Sequence, residues 1–288
     1  MKHSPFFAAA AFSGVLAVLA ALYWTGPVRA QSANPVKVDT ALVVSVDISN
    51  SVDENRYQLQ MEGIAAALED PGVIDAITGG QHGGILFSMV TWADRPDFTL
   101  PWLRISSKEE AFAAAAKVRK LPLLTGEFTC MTRMMRSVND KIVSQIPAEA
   151  TRIVLDVSGD GPDNCNPDET IESVRDELVA NGVTVNGLPI NIAGASEPVA
   201  GSGPNTASAG DKNGAAAIAK PGVQPGPQTL EDWYRTHVMG GTGAFVLAAN
   251  GYRDFGRAIR QKFVIEMSGF GMPGPRAYGA AEDGRRAR

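Results

Sequence analysis

Thr40-Ala41-Leu42-Val43-Val44-Ser45-Val46 runs without a break into Asp47-Ile48-Ser49-Asn50-Ser51. The first seven residues are mostly apolar and β-branched, the pattern of a strand buried on both faces. The strand runs into a D-x-S-x-S cluster. One carboxylate and two hydroxyls, spaced two apart on a strand-to-loop turn, can all point at one small hard cation. Mg²⁺ and Ca²⁺ take oxygen ligands, and Mg²⁺ usually keeps waters and binds few carboxylates. A cation held this way retains a coordination position for a carboxylate brought by a partner. These residues therefore point to metal-dependent binding rather than to catalysis.

Outward from this stretch, strands and helices alternate. Glu54–Leu68 carries Tyr57, Met61, Ile64, Ala65 and Leu68 at helical spacing, and Asp70-Pro71-Gly72 reads as its end. Gly84–Trp92 is strand-like, and Asp97–Ile105 returns beside it as an extended segment broken at Pro101. Ser107 and Glu110 form a capping box for a helix reaching about Leu121. Thr129–Ile146 is helical in pattern until Pro147, and Arg152–Val157 is a further central strand. Asp168–Ala180 reads as a helix ended by Asn181-Gly182. Val183–Ile192 and Ala244–Ala248 read as strands, with a short helix from Thr229 and a last amphipathic helix over Tyr252–Met267. The expected fold is α/β, doubly wound, with a mostly parallel central sheet flanked by helices. Ligands in such sheets bind at the carboxyl ends of the strands. Asp47, Ser49 and Ser51 follow the first strand and Asp160 follows a later one, so both loops are expected on one edge.

Composition sets the context. The chain has 288 residues, 44% hydrophobic and 20% charged, ordinary for a protein with a substantial core. Lys2, an apolar run from Phe6 to Trp24 and the small residues Val28 and Ala30 read as a signal peptide cleaved after Ala30. An uncleaved membrane anchor is the other reading of that run. Cleavage would remove Lys2 and Arg29, leaving 24 basic against 31 acidic residues, a net charge of −7. Nucleic-acid binding needs a basic face, so this balance speaks against it. Export implies the periplasm of a bacterium, or secretion. The domain is expected over 38–268, with a flexible Gly/Pro-rich insertion at 194–227 and a disordered tail over 269–288.

Cys130 and Cys165 are the only cysteines. After an export signal an even pair is a disulfide candidate; two free buried thiols are the other reading. No Cys-x-x-Cys motif and no histidine cluster suggests zinc. Trp92, Trp102, Trp233, Tyr234, Met131, Met134 and Met135 read as packing residues, and Arg133 and Arg136 as a solvated face. Asp163, Asn164 and Asp168 read as turn and cap residues, and Asp94 as an ordinary loop aspartate.

These motifs resemble the von Willebrand factor type A family over roughly residues 38–268, and most closely its bacterial exported DUF1194 subgroup. Asp47, Ser49 and Ser51 match the family's D-x-S-x-S loop in full. Thr129, in Gly126-Glu127-Phe128-Thr129, matches its threonine loop, and Asp160, in Ser158-Gly159-Asp160-Gly161, its aspartate turn. The resemblance implies a metal-ion-dependent adhesion site. Ser49, Ser51 and Thr129 would bind the cation directly, Asp47 and Asp160 directly or through water. Mg²⁺ is expected first, with Ca²⁺ or Mn²⁺ as substitutes, and a protein partner would offer an Asp or Glu to the metal. Two features depart from the family pattern. The aspartate turn is one residue longer, which brings Asp156 in as an alternative ligand. Glu127 and Phe128 stand where another Gly is usual. A Cys130–Cys165 bridge would tie the second loop to the third.

Two other readings compete. Gly159-Asp160-Gly161-Pro162-Asp163-Asn164 resembles the Mg²⁺-holding loop of haloacid-dehalogenase-type phosphatases, with Asp47 as nucleophile. Ser49, however, occupies the position of the required general acid. A serine hydrolase would need a G-x-S-x-G elbow, which is absent, and the sequence shows no evident acid partner for His237. The other reading is a metal-free structural domain that kept the sheet alone.

Overall fold

The computed structural model describes residues 36–165, 168–192 and 229–268. The leader expected over 1–30, the 194–227 insertion and the 269–288 tail lie outside the described residues. Among those described, no helix is long and apolar enough to cross a membrane.

Five strands form one sheet: β1 (Lys37–Asp47), β2 (Ile85–Trp92), β3 (Pro96–Ile105), β4 (Glu149–Gly159) and β5 (Val183–Pro189). Their order is β3-β2-β1-β4-β5. All neighbours are parallel except β2 and β3, which pair antiparallel. The helices are α1 (Glu54–Glu69), α2 (Pro71–Thr78), α3 (Lys108–Val118), α4 (Met131–Ser137), α5 (Ile171–Ala180), α6 (Leu230–Trp233) and α7 (Phe255–Met267). This is the doubly wound sheet that the alternating pattern predicts.

The sheet has an apolar layer on each face. Leu42, Val44 and Val46 of β1 and Val154 of β4 pack with α1, α3 and α7 through Ile64, Leu68, Ala115, Phe255, Ile259 and Phe263. Val43, Leu155 and Val157 pack on the other face with Met131, Met134, Met135, Val174, Leu178 and Tyr234. Successive strand residues point to opposite faces, so a strand clad on both sides must be apolar at nearly every position. That requirement explains the unbroken run in β1. The break expected at Pro101 does not occur: β3 runs through it, and Pro101 is exposed on an edge strand, where proline is tolerated.

Several elements differ from the sequence expectation. Asp70-Pro71-Gly72 does not end helical structure; it starts α2. The Asp70 carboxylate accepts from the N–H groups of Gly72 and Val73, and Pro71 sits at the first helical position, where it loses no bond. The helix expected from Asp168 starts at Ile171, because Thr170 is the residue that caps it by accepting from Ser173 N. The helix expected from Thr129 starts at Met131 and finishes through a π turn (Val138–Ile142) and a 3₁₀ turn (Val143–Gln145). Ala244–Ala248 is not a strand: only isolated bridges join Val246 to Gly187 and Ala249 to Ile190. The segment is apolar throughout, but it meets β5 at single points rather than along a ladder. Val183–Ile192 likewise ends as a strand at Pro189.

Arg133 and Arg136 are engaged rather than merely solvated. Arg133 donates to the Asp94 carbonyl at 2.8 Å, and Arg136 bridges Glu169 and Glu177, each at 2.7 Å.

Candidate metal centre

The strand order reverses direction between β1 and β4. From β1 the chain builds outward to β2 and β3, then crosses back to add β4 and β5 on the other side. A crevice opens at such a switch point, outside the carboxyl ends of the two strands. Asp47 is the last residue of β1, and Asp160 follows the last residue of β4. The sheet thus delivers both carboxylates to one edge.

Five side chains meet there. The Asp47 carboxylate accepts from Ser49 N at 2.8 Å, which fixes the turn after the strand. Ser49 Oγ lies 3.3 Å from Ser51 Oγ and 3.3 Å from Thr129 Oγ1. Ser51 Oγ donates to Asp160 Oδ1 at 2.7 Å. Hydroxyl pairs at 3.3 Å are wider than ordinary O–H···O bonds, whose mode is about 2.7–2.8 Å. They are near the spacing of roughly 3 Å expected for neighbouring oxygens around an ion with bonds of about 2.1 Å. The structure therefore brings Asp47, Ser49, Ser51, Thr129 and Asp160 together.

Asp156 does not join them. It pairs in register with Val44, whose face carries α7, and Lys262 of α7 lies 3.2 Å from its carboxylate. Strand alternation puts Asp47 on the other face.

The Thr129 loop is held from several directions. The Asp94 carboxylate accepts from Glu127 N at 3.1 Å and Phe128 N at 2.8 Å. Asn164 Oδ1 accepts from Thr129 N at 2.8 Å, and Asn164 N returns a bond to Thr129 O at 3.1 Å. Thr132 Oγ1 donates to Asp163. Cys130 and Cys165 form a disulfide, which joins this loop to the one after β4. Asp94 is therefore a positioning residue, a role that spacing alone did not reveal. Glu127 and Phe128 point outward, Phe128 half exposed, so they border the site without filling it.

Two tyrosines complete the surroundings. Tyr252 donates to Asp160 Oδ2 at 2.9 Å. Tyr234 is fully buried, and neither its hydroxyl nor Asp47 Oδ2 has a hydrogen-bond partner among the described residues. A Cβ at Gly159 would lie 2.8 Å from that hydroxyl and 3.0 Å from Asp47 Oδ2, so only a bare Cα lets both approach. The sequence reads Tyr234 as a packing residue and Tyr252 as the start of the last helix; no local signal ties either to the site, because Tyr252 meets Asp160 across 92 residues of chain and Tyr234 is still more remote from Asp47 in sequence.

Burial pushes the Asp47 carboxyl up to about 7; the Ser49 N–H and hydroxyl pull it down and the Asp160 charge adds a smaller upward push. Burial raises the Tyr234 phenol well above its ordinary range, with Asp47, Asp160 and Asp156 adding to it. A buried carboxylate with an orphaned oxygen, a second carboxylate and three clustered hydroxyls is a donor set suited to a hard divalent cation. No group of three or more His, Cys, Asp or Glu side chains gathers anywhere among the described residues, so a cation held by many charges has no other place there.

A family model described as a protein of unknown function, DUF1194, matches residues 37–271. The chain belongs to the DUF1194 family. No curated protein matches this DUF1194 chain. Proximal thread matrix protein 1 from the mussel byssus superposes with a TM-score of 0.53 at 13% identity, over 82% of this chain and 50% of that one. A von Willebrand factor type A structure from Catenulispora acidiphila gives 0.50 at 14% identity, over 80% and 43%. One structure of the mussel protein is described as having a zinc-occupied MIDAS motif. The DUF1194 chain thus has the von Willebrand factor type A fold, and it spans about half the length of these neighbours.

Proposed function

We propose that this chain is a divalent-cation-dependent binding domain that takes an acidic group of a protein partner. The observation that carries the reading is the meeting of Asp47, Ser49, Ser51, Thr129 and Asp160 at the switch point, beside the orphaned Asp47 oxygen. The three hydroxyls and two carboxylates would hold the ion. A bound cation would supply Lewis acidity toward an outside carboxylate. Only two carboxylates face it, so its charge is balanced but its appetite for another oxygen ligand remains. The all-oxygen donor set favours Mg²⁺, with Ca²⁺ or Mn²⁺ able to substitute. Zinc in the mussel protein of the same fold supports a divalent cation at such a site without choosing among ions.

Binding rather than turnover fits the site's chemistry. Ser49 stands two residues after Asp47, where a phosphatase of the competing type needs a carboxyl, and the Asp47 side chain is 1% exposed. Export to the periplasm or beyond, with cleavage after Ala30, belongs to the same proposal and is consistent with the Cys130–Cys165 bridge. Mass spectrometry of the protein from the periplasmic fraction tests it by giving the first residue.

Calorimetric titration of Mg²⁺, Ca²⁺ and Mn²⁺ tests the main reading. Saturable binding to the wild type that disappears in Asp47→Ala is expected, with no hydrolysis of a phosphatase substrate panel. Binding that survives Asp47→Ala would sink it.

A further inference from the structure

Arg56 sits at the edge of the metal centre, and none of the roles above uses it. It is the third residue of α1. Its N–H is held at 2.8 Å by the capping carboxylate of Asp53. The side chain runs over the Tyr252 ring, with the guanidinium carbon 5.3 Å from the centroid. Nη1 donates to Ser51 O and lies 4.0 Å from Asp160 Oδ2. The side chain is 32% exposed.

This guanidinium is rigidly placed yet largely unspent. Of five donors on the fork, only one makes a hydrogen bond among the described residues. Asp160 does not need it, because Ser51 Oγ already bonds Oδ1 at 2.7 Å and Tyr252 already bonds Oδ2 at 2.9 Å. Tyr252 links the two features: its hydroxyl positions a candidate ligand while its ring carries the arginine. The charges point the same way. Two carboxylates balance a divalent cation. Beyond Asp160, the Arg56 charge is shared among the described residues only with exposed Asp53, 3.9 Å from Nε, so its free Nη donors stay available to one incoming carboxylate.

We propose that Arg56 is the second anchor for the partner's acidic side chain, its free guanidinium donors taking the carboxylate oxygen that the metal does not. This rests on the metal-binding reading above and adds the residue that orients the acidic group. Arg suits the task because its fork meets a carboxylate in a fixed plane, which the compact ammonium of Lys does not.

Acetate is the probe, titrated into the full chain with saturating Mg²⁺ and followed by calorimetry or by shifts of backbone amides around Ser51 and Thr129. Wild type, Arg56→Met and Arg56→Lys are compared after thermal melting shows each is folded. Arg56→Met is expected to bind Mg²⁺ at least as tightly as wild type, because a positive charge near Asp160 is gone. Its acetate affinity should fall by about tenfold, the effect of losing one charged hydrogen bond of roughly 1.4 kcal/mol. Arg56→Lys should fall between the two. Unchanged acetate affinity in Arg56→Met, with Mg²⁺ still bound, overturns the proposal alone. Cation binding that emerges only in Arg56→Met also overturns it, by showing that the guanidinium takes the cation's place. Loss of Mg²⁺ binding in the wild type as well removes the metal reading itself, and the proposal with it.

Discussion

At the scale of single residues, Asp47 has the most exposed consequences although its side chain is buried. Its carboxyl is pushed from 3.8 to about 7 chiefly by desolvation. In the cation-free protein the folded state therefore holds a proton that the unfolded chain releases above the lower value. The stability from this group is fully present below pH 3.8 and is lost as pH rises through 7. Asp47→Asn keeps the shape and removes the titration. The cation-free wild type should lose stability relative to Asp47→Asn between pH 5 and 8, at up to about 1.4 kcal/mol per pH unit. Urea unfolding of both proteins with chelator at the two pH values measures this, and parallel curves would rule it out. Asp156 shows why a neighbouring carboxylate is not interchangeable with a ligand. It is four residues before Asp160, but the pleat aims it at α7.

At the scale of elements, two connections hold the site in shape. The Cys130–Cys165 disulfide closes a segment with a sequence separation of 35. Loop-closure arithmetic for that length gives about 3–4 kcal/mol of stabilisation. Replacing both cysteines by serine should lower the unfolding free energy by an amount of that order. It should also speed hydrogen exchange at Phe128 and Thr129, whose loop the bridge ties down. The second connection is buried under α7. Lys262 lies 3.2 Å from Asp156 and 3.2 Å from Glu266, and 4.2 Å from the centroid of the Phe245 ring. Asn186 donates to Glu266 at 2.8 Å. Two carboxylates around one ammonium, all nearly without solvent, raise the Asp156 pKa, through burial first and then the Glu266 charge. Lys262→Ala leaves both acids without their cation and should cost about 3–5 kcal/mol in denaturant unfolding. A loss under 1 kcal/mol would mean that the two acids are neutralised some other way.

At the scale of the whole molecule, α7 is pinned at both ends of its contact with the sheet. Tyr252, just before it, is bonded to Asp160, and Lys262 reaches Asp156 and the Gly187 carbonyl. Gly63 and Gly256 let α1 and α7 cross closely; a Cβ at Gly63 would lie 3.0 Å from the Gly256 Cα. Adding Mg²⁺ should therefore change hydrogen exchange little along α7, with the main protection gained in the loops around Ser49, Thr129 and Asp160. Strong deprotection of α7 on Mg²⁺ addition would show that the helix moves.

The sequence by itself determined the strands of the sheet and the D-x-S-x-S stretch at its edge; Thr129, and Asp160 as a ligand, came through the family resemblance, and the fold brings all five together. β1 must be apolar on both faces and must end where polarity begins, so Asp47, Ser49 and Ser51 announce both the strand and the edge it opens on. Periodicity of 2 and 3.6 is a local property, and so are caps such as Ser107, which accepts from Glu110 N, although the Glu110 carboxylate turns back to Ser106 rather than completing the box expected with Ser107. Even locally the reading failed where one tripeptide serves two purposes: Asp70-Pro71-Gly72 can stop a helix or start one, and only the packing of Val73 and Ile77 into the core decides. The tertiary structure alone decided the roles of Asp94, Tyr234, Tyr252, Lys262 and Arg56. Each acts through a partner outside its own element: Asp94 is 33 residues from Glu127, and Tyr252 is 92 from Asp160. Hydrogen bonds and charge pairs depend on distance in space, and sequence spacing fixes that distance only within one helix or strand.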